Sequence, residues 1–240
     1  VAGTVVVVNR SAYITGGVAH ASYGGIGVAL WAGFPPIYGA MGIAALMGVL
    51  LGVVRQRDER RADALVSALW AAGMAAGILL ADITPGYTAD FLSYLFGNIL
   101  LVSTQDLIFL GVMAALSVGL MIKFYRVLLA CTSDGDYAAT LGIPVATVNI
   151  LMLVFLCISV VLLMKVAGLI LVMALLSIPA SIAESHTKKM SGMIKLSFII
   201  AALSIFGGLG VAVWLNLTPG AVIVAILSIA YAANICIKRV

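Results

Sequence analysis

The fold is decided by the stretch IYGAMGIAALMGVLLGVVRQRDERRADALVSALWAAGMAAGILLA, residues 37–81. Two apolar runs in it flank a short hydrophilic segment, Arg55–Arg61, which carries most of the local charge. A helix needs about 20 predominantly apolar residues to cross a hydrocarbon core about 30 Å thick. The stretch therefore predicts two transmembrane helices, over 37–54 and 62–81, that meet at one face of a membrane.

The same pattern extends over the whole chain. It has 240 residues, of which 64% are hydrophobic and 9% charged, and this balance excludes an ordinary soluble domain. All of its 13 lysines and arginines except Lys165 fall in five hydrophilic stretches, which pairs of apolar segments separate. Basic loops of membrane proteins stay in the cytoplasm. We therefore predict an all-α, polytopic transmembrane bundle in the cell (inner or plasma) membrane, with its basic loops cytoplasmic.

The crossings are expected to form one transmembrane domain over 1–240, with about eight or nine spans. The apolar run Val1–Val8 is the expected end of a first helix whose beginning is missing. Residues 91–102 are apolar but too short to span, so they predict a re-entrant or interfacial helix. The other crossings are predicted over 14–33, 107–122, 147–164, 167–183, 194–214 and 220–237.

Small residues recur at every fourth position in the three crossings within 14–81. Such stripes let helix backbones approach closely in lipid, where association relies on packing contacts. We therefore expect a compact bundle in this part of the chain. The stripes are Gly17, Ala21, Gly25, Ala29 and Gly33; Ala40, Ala44, Gly48 and Gly52; and Ala64, Ala68, Ala72 and Ala76.

His20 is the one side chain inside the crossing 14–33 that can carry a charge near neutral pH. Polar residues at membrane depth are costly and usually face a cavity or pathway, and imidazole is the commonest side-chain metal ligand. Gly16 and Gly24 share its helical face, and these small neighbours are expected to leave space beside the ring. The alternative is a histidine that bonds a neighbouring backbone carbonyl, and the sequence leaves both open.

Other polar residues are weaker candidates. Glu184 and His186 end a crossing and are interpreted as solvated terminal residues. Asn98 is expected either to cap the short helix or to line a pathway. No GxxxxGK[ST] nucleotide motif and no catalytic constellation with persuasive spacing occurs, so the sequence does not favour an enzyme. The remaining acidic candidates, interpreted as external loop residues rather than a docking surface or vestibule, are Asp82, Asp90 and Asp106.

Four segments in order identify a family. They are Ala19-His20-Ala21-Ser22 with Gly25 and Gly27, then Tyr94–Leu100, then Ala138 through Leu141-Gly142-Ile143-Pro144, and finally Val166-Ala167-Gly168 through Ile178-Pro179-Ala180. With these segments the chain resembles, over essentially its whole length, the integral-membrane permeases of zinc/manganese-type ABC importers.

The resemblance implies a homodimeric permease with a central pathway, two cytoplasmic ATPase subunits that bind the ATP, and an external metal-binding protein. It implies no stably bound cofactor, since zinc or manganese is the transported ion, and it places His20 on the translocation pathway with Gly16, Gly24 and Asn98. The segment 133–144 resembles the coupling helix of the family, which docks on the ATPase. Its expected coupling residues are Asp134, Tyr137, Leu141 and Gly142.

One departure from the family keeps alternatives open. Many members have an Asp four residues before the histidine, where this chain has Gly16. An ABC permease for iron or a metal chelate is therefore the first alternative. An ion-coupled secondary transporter is the second, although no Asp or Glu lies clearly within a crossing and no repeat is evident. A purely structural membrane scaffold is difficult to reconcile with a histidine among glycines.

Overall fold

The computed structural model describes residues 2–9, 11–84, 102–187 and 189–238, and every regular element in these ranges is helical. The helices are α1 (Ala2–Val8), α2 (Ala12–Ala32), α3 (Pro36–Arg55), α4 (Glu59–Asp82), α5 (Thr104–Ser133), α6 (Gly135–Thr140), α7 (Val145–Ala167), α8 (Leu169–His186), α9 (Met190–Leu215) and α10 (Pro219–Lys238). The predicted all-α class is confirmed.

Seven of the described helices are long and apolar enough to cross a membrane, namely α3, α4, α5 and α7 to α10. The expectation of eight or nine spans is consistent with this number. The predicted crossing that contains His20 is also a helix, α2, but it is not one of the seven. Its glycines, hydroxyl side chains and imidazole lower its mean hydropathy.

Helix α2 lies at the centre of the bundle, where it packs against α3, α4, α7 and α8. Most of its side chains are buried, among them Ile14, Tyr23 and Ile26, which are fully enclosed. A helix surrounded by other helices needs less hydrophobicity than a helix that faces lipid. The low hydropathy of α2 thus follows from its central position.

Small residues bring the central helices together, as the stripes predict for α2 and α3. A Cβ atom built on Gly48 would lie 2.6 Å from Cα of Val154, and one built on Gly52 would lie 2.7 Å from a side-chain carbon of Ile150. Helix α3 therefore packs backbone to backbone against α7. Gly25 and Gly39 make the same kind of contact between α2 and α3.

The stripe of α4 behaves differently from the prediction. Ala64, Ala68, Ala72 and Ala76 are exposed in this single chain, whereas Gly73 and Gly77 make the close contact with α2. A helix has several faces that carry small residues, and spacing alone does not say which of them meets a neighbour.

A second group of helices, α8 to α10, packs beside this centre. Leu171 and Ala174 of α8 form an apolar cluster with Ile223 and Leu227 of α10. A Cβ atom on Gly208 of α9 would lie 2.6 Å from a side-chain carbon of Ile223, so α9 and α10 are also closely packed. Helix α8 thus connects this group to α2.

Polar contacts mark the two ends of the bundle. At one end, the Arg55 side chain donates a hydrogen bond to the Asn9 carbonyl (2.6 Å), and Gln56 donates to the Ala146 carbonyl (3.0 Å). At the other end, Lys165 forms an ion pair with Asp106, which also accepts a hydrogen bond from the Ser103 hydroxyl. The chain therefore passes back and forth between the two ends of the bundle, as a polytopic membrane protein must.

One expectation on helix bounds needs correction, and a second falls on residues outside the described ranges. The crossing expected over 107–122 continues as one helix to Ser133, because Lys123 and Arg126 interrupt the apolar pattern without breaking the helix. The short helix expected over 91–102 falls almost wholly outside the described residues, as do Asn98 and Asp90.

Candidate functional site

His20 lies in a contact between α2 and α4. Its imidazole stacks on the indole of Trp70 with ring centroids 4.4 Å apart and an angle of 11° between the planes. Its Nδ1 atom is 3.0 Å from Sδ of Met74. The His20 ring is half-buried, whereas Trp70 is 41% exposed. The imidazole is therefore held from two sides at the edge of the bundle.

The Met74 contact defines the orientation of the imidazole. A thioether sulfur can accept a hydrogen bond but cannot donate one. The short Nδ1–Sδ distance thus favours the tautomer in which Nδ1 carries the proton and donates to Met74. In that tautomer Nε2 holds the lone pair that a cation binds.

Glycines bring the two backbones together around this site. A Cβ atom on Gly24 would lie 3.1 Å from the Gly73 carbonyl oxygen, and one on Gly27 would lie 2.8 Å from Cα of Gly77. A Cβ atom on Gly73 would lie 2.6 Å from Cα of Ala21. This close approach is what allows the α4 side chains to reach the imidazole.

The two glycines expected to leave space beside His20 do not do so. The position where a Gly16 side chain would begin is 2.8 Å from the terminal methyl group of Met173 in α8, and Gly24 lies against the backbone of Gly73. Neighbouring helices fill the volume that a missing side chain leaves, because protein interiors are close-packed. The assignment of both glycines to a pathway stays a prediction.

Trp70 and Met74 were missed as site residues in the sequence. They are four residues apart on α4 and therefore lie on one helical face. The sequence shows this four-residue spacing, but it does not show which helix the shared face contacts. Only the pairing of α2 with α4 shows that this face meets His20.

The expected coupling segment forms a short helix with a defined start and end. The Asp134 side chain accepts a hydrogen bond from the Tyr137 backbone N–H (3.0 Å) and so caps α6. Gly142 has a φ of 77°, a conformation that favours glycine and turns the chain toward α7. Tyr137 and Leu141 each retain 58% exposure, so both present apolar surface away from the bundle.

The other sequence candidates have local roles. The side chains of Glu184 and His186 are exposed, in agreement with the interpretation as solvated terminal residues, and His186 Nδ1 lies 2.9 Å from its own helix's Ile182 carbonyl. Asp106 is paired with Lys165, and sequence reasoning missed this pair. Within the described ranges, no group of three or more His, Cys, Asp or Glu side chains could hold a metal ion.

Comparisons with known proteins agree with this architecture. The chain is 38% identical to an uncharacterised membrane protein of Synechocystis, over 99% of this chain and 84% of that protein. It is 33% identical to a "probable metal transport system membrane protein" of Chlamydia pneumoniae, over 100% and 84% of the two chains. It is 29% identical to a manganese transport system membrane protein of Halalkalibacterium halodurans, over 97% and 80%.

The fold is also similar to a solved structure. The PsaBC complex from Streptococcus pneumoniae, determined with a Fab, contains a chain that matches with a TM-score of 0.84 and 24% identity. The match covers 97% of this chain and 84% of that one. At this identity the likeness shows the fold.

Seven helices in the described ranges are long and apolar enough to cross a membrane, and they define a multi-pass membrane protein. The model of the ABC 3 transport family matches residues 1–238. The chain belongs to the ABC 3 transport family.

Proposed function

We propose that the chain is the membrane-spanning permease subunit of an ATP-binding-cassette importer that moves divalent metal ions, zinc or manganese, into the cytoplasm. Family membership and the names of the relatives from Chlamydia pneumoniae and Halalkalibacterium halodurans support this proposal. An external metal-binding protein would deliver the ion, and two cytoplasmic ATPase subunits would supply the energy. In this orientation the end of the bundle near Arg55 faces the cytoplasm.

The observation that carries the proposal is the setting of His20. An imidazole held at membrane depth by Trp70 and Met74, with Nε2 as the nitrogen that can bind a cation, is suited to contact an ion in transit. A pathway must release what it binds, so a single strong ligand with weak neighbours is adequate. We assign His20 to the translocation pathway.

The imidazole of His20 favours zinc over manganese. Imidazole suits zinc, whereas manganese prefers carboxylate, carbonyl and water oxygens. The described contacts of the His20 ring are a thioether, which accepts from Nδ1, and an indole, and neither is an oxygen donor. Zinc is therefore the first cargo to test, although the Halalkalibacterium halodurans relative is named for manganese.

A second copy of the chain would pack against α4. The exposed alanines of α4 (Ala64, Ala68, Ala72 and Ala76) form a small-residue face on the side of the helix opposite Trp70 and Met74. Such a face permits close helix–helix contact in a membrane. A homodimer would pair through this face and bring the α4 helices of the two copies together.

The capped helix α6 and the turn after it would contact the ATPase subunits and transmit their movement to the bundle. Tyr137 and Leu141 are exposed, and α6 is joined directly to α5 and α7. Movement of the ATPase subunits would then reach the bundle as a rigid-body shift.

The test is the zinc, manganese and iron content of cells grown under metal limitation. A deletion strain is compared with strains restored with wild type, His20→Ala, or the matched control His186→Ala at equal membrane expression. We expect loss of one metal, recovered by wild type and His186→Ala but not by His20→Ala. Equal recovery with His20→Ala would remove His20 from the pathway. Iron as the lost metal would favour the alternative cargo, and no loss of any metal would overturn the importer proposal.

A further inference from the structure

A cleft between α1, α5 and α7 has an apolar part and a polar part, and the site at His20 uses neither. The apolar part is a cavity of about 210 Å³ lined by α1, α5 and α7. The polar part is a cavity of about 200 Å³ lined by the ends of α1, α3 and α5 and by the first turns of α7. Met152 of α7 lines both parts.

The apolar part offers little to a polar ligand. Its lining includes Val5, Met121, Phe124 and Phe155. Ser117 is the one hydroxyl residue among the described lining residues, and it donates its hydrogen bond to the Met113 carbonyl of its own helix (2.7 Å). A long hydrocarbon chain matches this lining, because it needs no hydrogen-bonding partner.

The polar part carries donors and a positive charge. Arg55, Asn9, Gln56 and Asn149 line it, and none of its described lining residues is a carboxylate. The hydrogen bond from Arg55 to the Asn9 carbonyl holds the guanidinium group at this cavity. Arginine in a fixed orientation is well suited to bind phosphate.

A second cation lies beside the apolar part. The Lys123 ammonium is 5.5 Å from the centre of the Phe124 ring, and Phe124 lines the apolar cavity. Both cations lie toward the end of the bundle that the proposed function places in the cytoplasm. Basic pockets between helices on that side of a membrane bind anionic lipid headgroups.

We infer that this cleft is a binding site for one anionic phospholipid of the cytoplasmic leaflet, with an acyl chain in the apolar part and the phosphate near Arg55. A transmembrane helix of a second copy would be apolar along its length and would not match the polar part. A phospholipid has an apolar acyl chain next to a charged headgroup, which matches the adjacent apolar and polar parts of the cleft. The orientation comes from the proposed function, but lipid binding itself does not depend on metal transport.

The experiment measures lipid binding to the purified full-length chain by native mass spectrometry. The probes are dioleoyl-phosphatidylglycerol and dioleoyl-phosphatidylcholine, which share acyl chains and differ in headgroup charge. Arg55→Gln is compared with Arg61→Gln, which removes an exposed arginine that does not line the cleft. Ser117→Phe, which fills the apolar part, is compared with Ala115→Phe, which adds the same ring at an exposed position of the same helix.

We expect preferential retention of phosphatidylglycerol, roughly fivefold weaker in Arg55→Gln and unchanged in Arg61→Gln. Ser117→Phe should abolish retention, and Ala115→Phe should not. Equal retention of both lipids, or the same retention in both phenylalanine variants, would overturn the inference. Because Arg55 also binds the Asn9 carbonyl, a thermal unfolding measurement accompanies Arg55→Gln. If that variant unfolds, the phenylalanine pair decides alone.

Discussion

Gly16 decides which chemistry lies one helical turn before His20. The space where its side chain would begin is occupied by the terminal methyl group of Met173, which is the flexible end of a long side chain. A small acidic residue could therefore be accommodated by a rotation of Met173 rather than by a shift of backbone. A single substitution at position 16 could thus add an oxygen ligand for the metal beside the His20 imidazole.

Gly16→Asp is predicted to shift cargo preference from zinc toward manganese. A carboxylate one turn from the imidazole supplies the oxygen donor that manganese prefers. We expect the zinc-to-manganese uptake ratio to fall by roughly tenfold, which corresponds to about 1.4 kcal/mol. Metal uptake by cells that express each variant measures the ratio.

Gly16→Asn is the matched control for this experiment. It has nearly the same size and displaces Met173 in the same way, but it carries no negative charge. An equal change in both variants would mean that packing rather than the carboxylate sets the selectivity. No change in either would separate position 16 from the pathway.

At the scale of helices, glycines determine which pairs of helices meet. Gly39 of α3 contacts the backbone of Gly25 in α2, whereas a Cβ built on Gly42, three residues further along α3, would meet no atom of another helix within 4 Å. The two positions share one helix and differ in their surroundings. They therefore separate helix–helix packing from the intrinsic helix preference of glycine.

Gly39→Ala is predicted to destabilise the protein, and Gly42→Ala is not. Inserting a methyl group into a backbone contact costs about 1–3 kcal/mol. At an open helical position the same change stabilises by about 0.5–1 kcal/mol, because alanine favours the helix. Thermal unfolding of both purified variants in one detergent provides the comparison. Equal unfolding temperatures would contradict the α2–α3 contact.

At the scale of the whole molecule, α6 lies at the end of the bundle where the Arg55 and Gln56 contacts join α3 to α1 and α7. The ion pair between Lys165 and Asp106 lies at the opposite end. A movement applied to α6 enters the bundle through α5 and α7, which the ion pair also joins. The two helices can therefore move as a unit.

Tyr137→Ala is predicted to uncouple the permease from its ATPase without unfolding it. The side chain is 58% exposed, so its removal should leave the free energy of unfolding within about 0.5 kcal/mol of wild type. Truncation of an aromatic anchor that is buried at an interface costs about 2 kcal/mol or more, so the affinity for the ATPase should weaken by roughly thirtyfold or more in co-purification.

Thr140→Ala provides the control for Tyr137→Ala. Thr140 is exposed on the same short helix and donates its hydroxyl hydrogen bond to the Tyr137 carbonyl. It should retain the ATPase. Equal retention with Tyr137→Ala would contradict a docking role for this face of α6.

Much of the architecture could be predicted from the sequence because a membrane imposes it. Apolar runs of sufficient length must form helices in lipid, since every backbone polar group needs an internal partner. For this reason each predicted crossing overlaps a long helix, although the one predicted over 167–183 includes the break at Gly168 between α7 and α8. The length of α5 was predicted wrongly, because charge can end a lipid-facing surface without ending a helix.

The sequence by itself determined the helical class, the approximate crossings and the family of this protein, because these depend on local composition and on the order of motifs. Only the tertiary structure decided that Trp70 and Met74 hold His20, that Met173 fills the space at Gly16, and that Asp106 pairs with Lys165. Each of these contacts joins residues 50 or more positions apart. The faces that meet are chosen by the packing of whole helices, which no local pattern specifies.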